Sequence, residues 1–147
     1  MQKTDKGESE RKMKTAIYLD GYVPKRAHPN DAGLDLYTPE DVVVPARGMT
    51  VVDTNVAMEI PDGYFGKITS KSGLMLHGIT TDGTIDSPYR GHIRVVLFNH
   101  SSKDYVFHRG EKIAQLVIVS IITPELEVVT ELSDTERGNR GFGSTGK

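Results

Sequence analysis

Two stretches of the chain combine residue types suited to phosphate and proton chemistry. Residues 137–147, RGNRGFGSTGK, hold two arginines, one aromatic, two hydroxyls and four glycines. Glycine-rich backbone can close its N–H groups around a phosphate while guanidinium groups neutralise it, and Phe142 can stack on a base. Gly141–Lys147 also fits the opening of a Walker A loop, but the sequence ends where the Ser or Thr and the following helix are required, so a P-loop is not expected. A floppy polar terminus is the plainer alternative. The second stretch, DGTIDSPYRGHIRVVLFN at 82–99, sets Asp86 between a β-branched residue and a turn, on the expected inner edge of a hairpin. A carboxylate so placed can serve as a general base; capping the Asp-Ser-Pro turn is the competing role. The histidines, at 28, 77, 92, 100 and 108, show neither HxH nor HExxH spacing, which leaves no histidine metal site to expect. The absence of cysteine excludes disulfides, thiolate metal sites and a Cys nucleophile.

These residues need a scaffold, and composition points to strands. Val, Ile and Thr number 37 together against 15 for Ala and Leu, a balance that favours β structure. Strands are expected at 15–20, 34–37, 40–45, 49–53, 55–60, 63–70, 79–81, 84–86, 91–99, 104–107, 112–122 and 126–130. Turn signals punctuate them at Asp20-Gly21, Pro61-Asp62-Gly63, Asp82-Gly83 and Arg109-Gly110. One short helix is expected near 71–77, where SKSGLMLHG offers a Ser N-cap, three apolar residues and a closing Gly78. The whole reads as an all-β sandwich or barrel. A chain of 147 residues suits one compact domain burying roughly 70% of the surface its unfolded form exposes. Lys and Arg total 18 against 20 Asp and Glu, a net charge of −2, which argues against nucleic-acid binding through excess positive charge. The opening MQKTDKGESERKMK is charged where a signal peptide needs an apolar core, and no apolar run approaches the roughly 20 residues of a membrane span. A cytoplasmic or other intracellular location without a membrane partner is expected. Residues 1–13 read as a disordered arm or extension, 14–132 as the β domain and 133–147 as a flexible tail.

Together with AGLDLYT at 32–38, SKSGLM at 70–75 and GEKIAQLV at 110–117, the two stretches form five segments. In order and spacing they resemble the five motifs of the trimeric dUTP diphosphatase (dUTPase) family. The resemblance covers about residues 15–147. It implies a distorted jelly-roll, the dUTPase-like or β-clip fold, in keeping with the composition. It also implies hydrolysis of dUTP to dUMP and pyrophosphate, which limits uracil in DNA and supplies dUMP for dTMP synthesis. Asp86 matches the carboxylate that orients and deprotonates a water for in-line attack on the α-phosphorus, assistance worth about 10²–10⁴-fold. Tyr89 matches the aromatic that packs under deoxyribose and excludes a 2′-hydroxyl; core packing beside Pro88 is its alternative.

The backbone of 79–86, with Gly83, Thr84 and Ile85, resembles the hairpin that reads uracil O4 and N3–H. Cytosine would leave buried groups unpaired there, a discrimination reaching about 10⁴, and the methyl of thymine would collide. Ser72 and Gly73 match a phosphate-binding segment with Lys71 as its cation, and Gln115 matches an amide that donates to phosphate. Arg137, Phe142, Gly143, Ser144 and Thr145 match the C-terminal motif that closes over nucleotide, Arg137 and the hydroxyls on the γ-phosphate and Phe142 over uracil. Asp35 matches an acid whose work is structural, bonding the second-motif cation. The resemblance implies Mg²⁺ held through the triphosphate and waters, so no protein ligand is named. It implies a homotrimer with active sites shared at subunit interfaces, two subunits giving motifs and a third its tail.

The chain departs from the family pattern at several points. Lys71 stands for a usual Arg, keeping charge but losing the planar fork. Glu111-Lys112 stands for Asp-Arg, Arg140 for a glycine, and His92 for an acid or amide. None of these removes a catalytic group. A dCTP deaminase of the same fold needs a Glu to activate water, and alignment on Asp86, Tyr89 and Gly91 puts Val96 there. The remaining alternative is a dUTPase-like nucleotide-sensing or partner-binding module with weak turnover.

Overall fold

The alternation of side chains decides the scaffold. In Arg94–Asn99 (β9), Val95, Leu97 and Asn99 are buried while Arg94 and Phe98 are exposed, the period of two that a half-buried strand requires. A computed structural model describes residues 12–143. Residues 1–11 of the expected arm, and Ser144 and Thr145 of the tail motif, lie outside the described residues. Met13 packs against the core. The other strands are Thr15–Ile17 (β1), Gly33–Tyr37 (β2), Val42–Val44 (β3), Met49–Asp53 (β4), Val56–Met58 (β5), Tyr64–Thr69 (β6), Ile79–Thr80 (β7), Asp82–Ile85 (β8), Tyr105–Phe107 (β10) and Lys112–Ser120 (β11).

All pairings are antiparallel. They build sheets of order β2-β11-β6-β8 and β4-β9-β7, with the pairs β1-β5 and β3-β10 beside them. The fold is all-β and of jelly-roll type, with one short helix, Ser72–Met75 (α1). Phe107, Ile93, Leu97, Ile113 and Leu116 lie fully buried between the sheets; burial of each such side chain is worth about 1.5–3 kcal/mol. No helix among the described residues is long and apolar enough to cross a membrane.

Three local expectations are corrected. The Asp82-Gly83 pair lies inside β8, opposite Thr69 and Ile68 of β6, and makes no turn. The helix has no Ser cap: Lys71 holds the N-cap position in extended conformation without a side-chain bond. The hydroxyl of Ser70 is engaged elsewhere, on the main chain of Thr81. No strand forms over 126–130, where Leu126 and Val128 are 92% and 97% exposed. The alternation is present there, but no strand among the described residues offers that segment a ladder partner.

Candidate active site

The register of the largest sheet aligns Asp35 of β2, Gln115 of β11, Thr69 of β6 and Asp82 of β8 in one row. Directly opposed residues share a face, so the acid and the amide meet where β6 runs out into Ser70, Lys71 and α1. Gly33 makes room for this, since a Cβ there would stand 2.2 Å from Gln115 Oε1. Gln115 Nε2 donates to the Ser70 carbonyl at 3.1 Å. Ser70 Oγ in turn donates to the Thr81 carbonyl at 3.0 Å and accepts the Thr81 N–H at 2.9 Å. Ser70 thereby ties the start of α1 to the 79–86 hairpin, a role that its place as the first residue of SKSGLM does not signal.

Asp35, its side chain 6% exposed, receives Lys71 Nζ on Oδ1 and, at 3.2 Å, Lys112 Nζ on Oδ2. Burial pushes the carboxyl up, but the hydrogen bonds and charges of the two ammonium groups outweigh it and hold it below its ordinary value. Lys112 reaches this face through a bulge between Lys112 and Ala114. The extra residue re-phases the strand, so Lys112 opposes Tyr37, two positions from Asp35 and on its side. Both lysines keep part of their surface, 27% and 49% of the side chain. Lys71 leads directly into exposed Ser72 and Gly73, and a Cβ at Gly73 would meet nothing within 4 Å. Two cations, a hydroxyl, an amide and open backbone suit a phosphate chain.

Asp86 follows the last residue of β8 and is exposed. The turn after it is closed by the main chain, Tyr89 N–H donating to the Asp86 carbonyl at 3.0 Å. Arg90 Nη1 braces that turn by donating to the Ser87 carbonyl at 2.6 Å. Tyr89 lays its ring over Gly91, where a Cβ would come within 2.5 Å of Oη. Its hydroxyl donates to the His92 carbonyl at 2.8 Å, and 43% of the residue stays exposed.

Within one chain these groups do not converge. Thr69 pairs with Asp82 at the Lys71 end of the β6–β8 ladder and Gly66 with Ile85 at the Asp86 end, a separation of about 10 Å at about 3.3 Å per residue. The tail forms a third group: Arg137 Nε donates to the Arg140 carbonyl at 2.8 Å and Arg140 Nε to the Arg137 carbonyl at 3.0 Å. Phe142 is fully exposed and Gly143 has φ +78°. No group of three or more His, Asp or Glu side chains able to hold a metal occurs among the described residues.

A family model described as dUTPase matches residues 20–146. The chain is 47% identical over 144 residues to the deoxyuridine 5′-triphosphate nucleotidohydrolase of Anaplasma marginale, covering 92% of this chain and 98% of that protein. Among solved structures it resembles the dUTPase of Staphylococcus bacteriophage 80alpha with dUPNHPP, at TM-score 0.86 and 33% identity over 92% of this chain and 99% of that one. It also resembles a mutant dUTPase from phage phi11 of S. aureus, described for its coordination of a structural Mg(II) ion, at TM-score 0.77 and 30% identity over 82% and 98%. The matched span takes in the Asp35–Gln115 row, the Asp86 turn and the tail, and the chain belongs to the dUTPase family.

Proposed function

We propose that the chain hydrolyses dUTP to dUMP and pyrophosphate. The observation that carries this reading is Asp86, an exposed carboxylate at the end of β8 whose turn closes without it, in a chain of this family. Its carboxylate takes a proton from water as the water oxygen attacks the α-phosphorus in line. The bond from that phosphorus to the bridging oxygen breaks, and pyrophosphate leaves. Main-chain groups of Gly83, Thr84 and Ile85 bind the uracil edge, and the open face of Tyr89 packs under the deoxyribose. Lys71, Ser72, Gly73 and Gln115 hold phosphate oxygens, with Asp35 orienting the lysines. Arg137, Phe142 and Gly143, with Ser144 and Thr145, close over the nucleotide, so that 133–147 serves as the tail of a 14–132 body.

Mg²⁺ bound with the triphosphate supplies charge neutralisation at the phosphate oxygens. The donor set fits an ion carried on substrate and waters, because the described side chains near the phosphate group are cationic or neutral apart from the lysine-bound Asp35. The separation of the groups along β6–β8 supports active sites completed between copies, in a homotrimer. So does segment 121–132, which exposes Ile122, Leu126, Val128 and Leu132 at 87%, 92%, 97% and 87%, an apolar array that calls for cover.

Incubation with Mg²⁺ and an equal mixture of dUTP, dCTP, dTTP and UTP is expected to consume dUTP alone. Chromatography should show dUMP and pyrophosphate rising together. Loss of dCTP would indicate deamination, loss of UTP would overturn the role given to Tyr89, and no turnover by folded protein would favour a binding module.

A further inference from the structure

Behind the Asp86–Tyr89 turn lies a side-chain cluster with no part in the mechanism above. The ring of His92 sets Nδ1 at 3.0 and 3.1 Å from the two carboxylate oxygens of Asp53. A carboxylate only accepts, so Nδ1 carries the proton and donates. The other flank of the ring stacks on Tyr18, centroids 4.7 Å apart and planes 22° from parallel. Asp53 is itself fixed, its Oδ1 accepting the Asn55 N–H at 2.8 Å, and the Asn55 carbonyl accepts the Tyr18 N–H at 2.8 Å. Both supports of the His92 ring therefore belong to one hydrogen-bonded unit. On the far side of the same residue, the His92 carbonyl takes the Tyr89 hydroxyl at 2.8 Å. The Ile93 N–H, which shares its planar peptide with that carbonyl, donates to the Val56 carbonyl at 2.7 Å, so the peptide is held from β5 on its N–H side and through the His92 Cα and ring on the other.

We propose that His92 is a positioning residue for sugar selectivity. Through Asp53 and Tyr18 it holds the Cα side of the peptide that anchors the Tyr89 hydroxyl, which the Val56 carbonyl holds from its N–H side, and so steadies the height of the Tyr89 ring under the sugar. The inference rests on the assignment of Tyr89 to the deoxyribose given above. A ring clamped at its hydroxyl cannot tilt away to admit a 2′-hydroxyl; an unclamped one can. The role falls on sugar discrimination, because His92 touches neither Asp86 nor the phosphate group.

The test compares kcat/KM for dUTP and for UTP. His92→Ala removes the Asp53 bond and the Tyr18 stack but keeps the main-chain acceptor, so it is expected to lower the dUTP:UTP ratio by about 2–5-fold, part of the worth of one hydrogen bond, while kcat for dUTP changes less than about 2-fold. His92→Asn, whose amide can donate to Asp53 from the position of Nδ1, should restore the ratio. His92→Phe keeps the Tyr18 stack without the donor, and should lower the ratio even if the alanine variant fails to fold. Tyr89→Phe, which removes the bond to the main-chain carbonyl itself, should lower the ratio at least as far as either variant. An unchanged ratio in folded His92→Phe, with dUTP still hydrolysed, would overturn the proposal and leave the site reading standing. An unchanged ratio in Tyr89→Ala would instead remove the assignment of Tyr89 on which it rests.

Discussion

Replacing Asp86 with Asn is expected to lower kcat for dUTP by about 10²–10⁴-fold, the usual worth of a positioned general base. Asn keeps the size of the side chain and can still orient a water, but it cannot take the proton. The effect should fall on kcat and leave KM nearly unchanged, the signature of an interaction made only in the transition state. Melting temperature should stay within a degree or so, because Asp86 is exposed and its turn is closed by the main-chain bond from Tyr89, and surface substitutions of this kind usually stay within about 0.5 kcal/mol. Steady-state kinetics beside a thermal melt separates the outcomes. A variant that loses activity and stability together would return Asp86 to a structural role, and one that keeps full kcat would remove it from the chemistry.

Asp35→Asn should act on stability and on binding at once. It removes the anion between Lys71 and Lys112, leaving two ammonium groups to face each other across a buried amide. Breaking a fully buried pair costs about 3–5 kcal/mol, but the lysines are partly solvated, so about 2 kcal/mol is expected here. Lys71 also loses its orienting partner, and a charge-assisted hydrogen bond to phosphate is worth about 1.5–3 kcal/mol. KM for dUTP should rise about 10–100-fold, with kcat less affected. The pair further makes stability depend on pH. The folded carboxyl titrates below its unfolded value, which is about 3.9. Its contribution is therefore complete above that value and is lost as pH falls through the lower folded one. The gap in melting temperature between wild type and variant should be constant above about pH 5 and shrink on acidification. A gap that instead widened in acid would mean that Asp35 is not held ionised by its lysines.

Strand placement was legible because alternation in β9 and the apolar blocks of β2, β5 and β11 carry a period that burial then enforces. The five motif segments gave the candidate residues, and register explains why Asp35 and Gln115 meet although 80 positions separate them. Contacts set by irregular backbone were not legible. Lys112 points to Asp35 only because of the bulge at Ile113, and no residue type there announces a bulge. Ser70 looks like a helix cap by composition, yet the paired β6 and β8 bring the Thr81 main chain to its hydroxyl instead. His92 and Asp53 lie 39 positions apart and join through β4 and the approach to β9. Segment 126–130 has the pattern of a strand, and pattern alone says nothing of whether an edge is there to receive it.

The central claim is that Asp86 delivers water to the α-phosphorus of dUTP. Its most direct test is a single turnover of dUTP in ¹⁸O-enriched water, with mass spectrometry of both products. Attack at the α-phosphorus predicts that the label appears in dUMP and that pyrophosphate stays unlabelled. Label in pyrophosphate would place the attack on the β-phosphorus and contradict the roles assigned to Asp86 and the hairpin beside it.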